Sequence, residues 1–149
     1  MSHEQVQSEI VDLHEFFVEW FTGSCESSDA IFAERFTSRF TKSSILIPPG
    51  GQLMNAANLG TSIRAAYGKN PAFRIAIRNV AVRREQDGLL LATYEEWQRG
   101  AIYSSPPENG RLSTALFEVA SAAPGGLRWL HIHETWLPAA VMAAGPYDF

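Results

Sequence analysis

Residues 73–99 read FRIAIRNVAVRREQDGLLLATYEEWQR. Apolar side chains alternate with polar ones on both sides of Gln86-Asp87-Gly88, a tight-turn signal, so the stretch predicts a β-hairpin. Within the first arm the apolar set shifts from Phe73, Ile75 and Ile77 to Val80 and Val82. That change of parity predicts a β-bulge near Asn79, which would curl the sheet. The same two-residue period continues through 111–122 and 127–138, connected by GAIYSSPPENG and Pro-Gly-Gly. Residues 73–85, 88–99, 111–122 and 127–138 are therefore expected to form an antiparallel meander.

Before residue 73 the period is that of helices. Val6, Ile10, Leu13, Phe17 and Trp20 follow one another at steps of three or four, and Gly23 offers a stop. Ser27, Ser28 and Asp29 are candidate caps for a second helix carrying Phe32, Phe36 and Phe40. SSILI is a short β-branched run ended by PPGG, and NLGTSIRAAYG predicts a third helix with Ile63 and Tyr67 four apart. Three helices before a curled sheet define an α+β class with helices against one sheet face. No repeat or linker divides the chain, so residues 1–149 read as one domain, with a core to about 138 and a tail over 139–149.

The 149 residues carry a net charge of −4, which opposes a nucleic-acid partner. The four arginines of FRIAIRNVAVRRE alternate with apolar residues, as on the solvated side of a strand. No membrane-length apolar run is present, and Cys25 is the single cysteine. Together with a start lacking an export signal, these features lead to the expectation of a cytoplasmic protein. Cys25 has no histidine near it in sequence and reads as an ordinary thiol.

Helix, helix, short strand pair, then GTSIRAAY and four long strands ending in WLHIHETW resemble the nuclear-transport-factor-two-like superfamily, and within it the SnoaL-like branch. The resemblance rests on Gly60, Ile63 and Tyr67 in the third helix and Trp129, His131 and His133 in the last strand, and spans all but about the last ten residues. It implies a cystatin-like α+β cone: three N-terminal helices in the concave face of a curled antiparallel sheet, enclosing a pocket. It also implies a homodimer through the outer sheet face. Members of the family include metal-free acid–base isomerases, dehydratases and cyclases, and noncatalytic association modules.

Strand alternation assigns side chains to faces. In the last strand one face carries Arg128, Leu130, Ile132, Glu134 and Trp136, an aliphatic floor ending in one acid and one indole, which suits a small-molecule pocket. The resemblance places Tyr94, Glu96 and Gln98 inside as well. Trp20, Arg64 and Tyr67 are core residues or pocket lining; Arg64 is a solvated cation or a partner for a carboxylate. Glu96 and Glu134 are the candidate catalytic acids, because two carboxyls in one pocket hold apart the pKa values of a donor and an acceptor. Structural neutralisation by Arg64 or Arg128 is the alternative. Trp97, Trp129, His131 and His133 fall on the other face and are assigned to a dimer interface. His131-x-His133 could chelate zinc, but no third ligand is evident, so no metal and no cofactor are expected. Glu118 is open to either face. The sequence thus predicts a pocket for a small, largely apolar molecule with possible metal-free acid–base chemistry; the alternative is a noncatalytic homodimeric ligand-binding or association module.

Overall fold

The computed structural model describes residues 2–149. The first helix, α1, spans Ser2–Thr22 and buries Val6, Ile10, Leu13, Phe16 and Trp20; Gly23, at φ 74°, takes the left-handed conformation that ends it. In α2 (Asp29–Arg35) the Ser28 hydroxyl accepts from Ile31 N–H at 3.1 Å, the cap expected of it. A 3-10 turn at Thr37–Arg39 leads into β1 (Phe40–Ile47), followed by the short β2 (Met54–Asn55) and α3 (Ala56–Ala65). The four long strands are β3 (Arg74–Gln86), β4 (Leu89–Arg99), β5 (Asn109–Val119) and β6 (Leu127–Trp136).

These six strands form one sheet in the order β2-β1-β6-β5-β4-β3. The meander β3 to β6 is antiparallel throughout, as its turn signals require. The sheet as a whole is mixed, because β1 returns alongside β6 in parallel, with Leu46 opposite Ile132. The bulge in β3 is present: Asn79 has φ 55°, and the β3–β4 register slips between Arg78 and Ala81. The sheet curls there, and the aromatic face of α1 fills its concavity. Phe16, Trp20, Tyr94, Phe117 and Trp129 are all at most 1 % exposed.

The tail holds a short helix, α4 (Ala139–Ala144), and then folds back over the outer face. Tyr147 meets the Trp97 ring edge-on at 5.6 Å, and Arg78 donates to Asp148 at 3.0 Å. Trp97 packs against Gly110, where any Cβ would stand about 3.0 Å from the indole. Among the described residues no helix is long and apolar enough to cross a membrane.

The structure corrects the faces assigned to Arg128, Trp129 and Leu130. Another bulge, between Leu116 and Phe117 on the β5–β6 ladder, pairs Phe117 with Trp129 and Leu116 with His131, leaving Leu130 as the extra residue. Trp129 is consequently fully buried, its indole N–H donating to Glu9 at 2.9 Å. Glu9 also accepts from the buried Arg39 at 2.5 Å, and burial pushes its carboxyl pKa up against those opposing partners. A tryptophan needs a hydrogen-bond partner inside, and this acid supplies it. Leu130 is displaced from the cavity wall, whereas Ile132 and Glu134 keep their inward parity.

Candidate functional site

Between α1, α3 and the concave sheet lies a cavity of about 160 Å³. Phe17, Leu46, Leu59, Ile63, Phe73 and Ile132 make its apolar wall. Its polar wall is built from alternate positions of three adjacent strands: Tyr94, Glu96 and Gln98 on β4, Arg111 on β5 and Glu134 on β6. His14 enters from α1, one turn after Ile10 on the buried side of the helix.

His14 Nδ1 donates to the Ile10 carbonyl at 2.7 Å, and its Nε2 faces Glu96 Oε1 at 3.0 Å. With Nδ1 committed as a donor, an ionised Glu96 requires a second proton on Nε2, so the pair is an imidazolium and a carboxylate. Gln98 donates to the other Glu96 oxygen at 2.5 Å. Burial alone would raise the Glu96 carboxyl, but the charge and hydrogen bond of His14, helped by Arg111 and Gln98, hold it at about 2. Burial likewise works against a charged His14, yet the Glu96 charge and the two hydrogen bonds leave its pKa raised above 6.5. Both directions favour the ion pair.

Glu134 is placed differently. It is 7 % exposed, and its nearest donors are distant: Arg111 at 3.5 Å and the Ser113 hydroxyl at 3.4 Å. Loss of hydration, then the negative charge of Glu96, push its pKa up to about 7 against the pull of Arg111 and His14. Burial beside both acids also pushes the Tyr94 hydroxyl well above the usual tyrosine value. One cavity thus holds a firmly ionised carboxylate and a carboxyl that exchanges its proton near neutrality.

Arg111 spans the group. It donates to Gln98 Oε1 and Asn109 Oδ1, each at 3.3 Å, and its guanidinium carbon lies 4.9 Å from the centre of the Trp136 ring. Its Nε is buried without a partner.

Of the residues expected at the site, Glu96, Glu134, Tyr94, Gln98 and Ile132 line the cavity together. Trp136 sits at its edge beneath Arg111, 39 % exposed. Trp20 and Tyr67 do not line it: the Trp20 indole donates to Ile63 O at 2.8 Å within the aromatic core, and Tyr67 donates to the Cys25 carbonyl. Arg64 pairs with Asp29 at 2.5 Å, over the Trp20 ring. It borders a separate open groove of about 600 Å³ between α2, β1 and α3, which holds no carboxylate. That groove is larger, but the titrating groups converge on the smaller cavity. Neutralisation comes from His14 and Arg111 instead of Arg64 or Arg128; Arg128 approaches Glu118 at 4.0 Å, on the outer face.

Trp97 is on the outer face as expected but covered by the tail, whereas His131 and His133 are exposed there. Among the described residues, no group of three or more His, Cys, Asp or Glu side chains is arranged to hold a metal ion. Sequence reasoning missed His14, Arg111 and Ser113. His14 had a signal, standing four residues after Ile10 and three before Phe17; Arg111 and Ser113 share the inward parity of Ala115 and Phe117.

A curled mixed sheet around a long helix, with carboxyls on its concave strands, is the nuclear-transport-factor-2-like (NTF2-like) architecture. Solved structures agree. An NTF2-like protein of unknown function from Pseudomonas aeruginosa matches with a TM-score of 0.76 at 22 % identity, over 90 % of this chain and 99 % of that one. A provisionally assigned dehydratase of the NTF2-like family from Streptomyces avermitilis has a TM-score of 0.67 at 14 % identity, covering 93 % of this chain and 97 % of that one. The CaMKII hub of S. rosetta has a TM-score of 0.59 at 10 % identity, over 87 % and 95 %. At these identities the likeness is one of fold. No curated protein matches the sequence. Residues 6–138 match the sucrose-6-phosphate phosphohydrolase C-terminal family, and the chain belongs to that family, with an NTF2-like fold.

Proposed function

We propose that this chain binds a small, largely apolar organic molecule in the cavity and that Glu134 transfers a proton to or from it. The observation that carries this reading is the contrast between two carboxyls in one wall: Glu96 is bound by His14 at 3.0 Å and Gln98 at 2.5 Å, which hold it at about 2, whereas Glu134 has no donor nearer than 3.4 Å and burial pushes it to about 7. A carboxyl poised near the working pH gives and recovers a proton with little driving force lost in either direction. His14 is not the base in this reading, because both ring nitrogens are engaged; it is the counter-ion that keeps Glu96 charged, and the Glu96 charge in turn raises Glu134. A single exchanging group suits a reaction in which one proton leaves a carbon next to a carbonyl and returns elsewhere, as in an isomerisation. The cavity volume of about 160 Å³ fits a body the size of one benzene ring.

A second reading is a noncatalytic ligand-binding or association module that works as a homodimer through the outer sheet face. It is supported by the family's name, which is that of the C-terminal part of a sucrose-6-phosphate phosphohydrolase, and by the internal pairing of His14 with Glu96.

Cyclohexanone in deuterium oxide separates the two. Saturation-transfer NMR should detect its binding, lost when Ile132→Phe fills the cavity, and deuterium should enter the carbon beside the carbonyl. Glu134→Gln should keep the binding and lose the exchange. Binding without exchange in the unaltered protein supports the second reading, and a wild-type protein that binds neither cyclohexanone nor other compounds of that size contradicts both uses of the cavity.

A further inference from the structure

Arg111 stands where two cavities meet. The inner one, with Glu96 and Glu134, shares Phe21, Phe73, Gln98 and Arg111 with an outer one of about 240 Å³ that is bordered by Lys69, Asn70 and Tyr103. Arg111 is 9 % exposed, its Nε has no partner, and the bonds it does make are long, at 3.3, 3.3 and 3.5 Å. A buried donor left unmatched is costly, so a guanidinium held only by long bonds in the wall of two cavities is under-satisfied and suited to a further acceptor there. The planar fork matches a carboxylate in size and direction, and the Trp136 ring holds its plane.

Charge leads to the same place. The ionisable groups that face Arg111 and Glu134 are His14 from α1, Tyr94 and Glu96 from β4, and Lys69 at the outer mouth. With Glu134 protonated, the inner wall sets the two cations His14 and Arg111 against one anion, Glu96. One positive charge is in excess. Ionising Glu134 balances it poorly, since its oxygen is 3.5 Å from Arg111 and Glu96 repels it. A ligand bearing one negative charge balances it directly.

We infer that the ligand is a small organic monocarboxylate, its carboxylate bound to Arg111 at the junction of the two chambers and its apolar body in the inner one. The inference rests on the reading of the cavity as a ligand site and adds the ligand's chemical class. It also fixes a proton count. An anion seated between Arg111 and Glu134 disfavours the ionised form of Glu134, so binding near or above neutral pH takes up a proton, and affinity falls as pH rises.

The test is calorimetry of benzoate against benzamide, the neutral analogue of the same shape, at pH 6 and pH 8 in buffers of different ionisation heat. Benzoate should bind at pH 6 at least about tenfold more tightly than benzamide, and more weakly by up to about tenfold for each pH unit above 7. At pH 8 its binding should take up close to one proton, a readout on the unaltered protein that depends on no variant folding. Arg111→Gln should abolish the preference for benzoate, and Arg111→Lys, which keeps the charge without the fork, should restore part of it. Benzamide binding as tightly as benzoate, or benzoate binding at pH 8 without proton uptake, overturns the inference while leaving the cavity a ligand site. Inorganic phosphate displacing benzoate at equal concentration also overturns it, because the site would then read charge alone. If neither aromatic binds, the inference falls, and the reading of the cavity as a ligand site falls with it only if cyclohexanone also fails to bind.

Discussion

His14 and Glu96, from the first helix and the middle of the sheet, meet at 3.0 Å in the core, 82 residues apart in sequence. The contact ties the helix to the concave face by a charge pair and places a fixed negative charge beside Glu134. Both consequences can be measured.

His14→Gln removes the cation and leaves Glu96 buried with only amide donors and Arg111 nearby. Breaking one side of a buried pair typically costs about 3–5 kcal/mol, so urea unfolding at pH 7 should show a loss of that order. The loss should shrink toward pH 4, because a Glu96 freed from His14 takes up a proton there instead of remaining ionised. Adding Glu96→Gln should recover most of the stability, giving a large coupling energy in the double-mutant cycle.

Glu134→Gln should stabilise the protein in alkaline solution and change little in acid. The folded pKa is about 7 against an ordinary 4.5. Folding therefore favours the protonated acid: its contribution is complete below pH 4.5 and is lost as pH rises through 7. Above that, the native state must bury an ionised carboxylate, at a cost on the order of 3 kcal/mol. Thermal melts of the two proteins should coincide near pH 4 and diverge by pH 8, with the variant higher. Glu96 has the opposite sign: its pKa is lowered, so its contribution is present above 4.5 and fades as pH falls through about 2.

Much of the fold could be read in the chain, because periodicity reports which side of an element is buried. The switch at Phe73 separated helices from strands, and the parity change at Asn79 located a real bulge. The bulge at Leu130 gave no such sign. Leu127, Trp129, Ile132 and Glu134 all point inward, yet Leu130, His131 and His133 between them are apolar or aromatic too, so simple alternation moved Trp129 to the wrong face. What holds it inside is Glu9, 120 residues away and invisible to any local pattern. The carboxyl pair of the site was legible from strand parity; its partners were not. His14 belongs to a helix whose buried stripe looked uniformly apolar, and Arg111 stands in the first few residues of β5, just after a proline-rich loop.

Trp129→Phe tests the long-range anchor. The benzene ring fills most of the space but cannot donate to Glu9, one of whose oxygens is already unpartnered. Stability should fall by about 1–3 kcal/mol in chemical denaturation, and a fall of less than a few tenths would mean the indole N–H does not hold the bulge.

The outer sheet face offers a surface for a second copy. Leu112 is 41 % exposed there, in a face shared with Leu116, His131 and His133, while the tail has already covered Trp97. On the dimer reading, sedimentation at micromolar concentration gives a dimer and Leu112→Arg gives a folded monomer. A wild-type monomer at that concentration contradicts it.

The carboxyl carbon of Glu134, followed by NMR in protein labelled at the glutamate side chains and assigned with Glu134→Gln, tests the central claim most directly. The account predicts a midpoint at about 7 in the native protein, lowered in Glu96→Gln, where the neighbouring charge is gone. A midpoint near 4.3, that of a solvated glutamate, would contradict it.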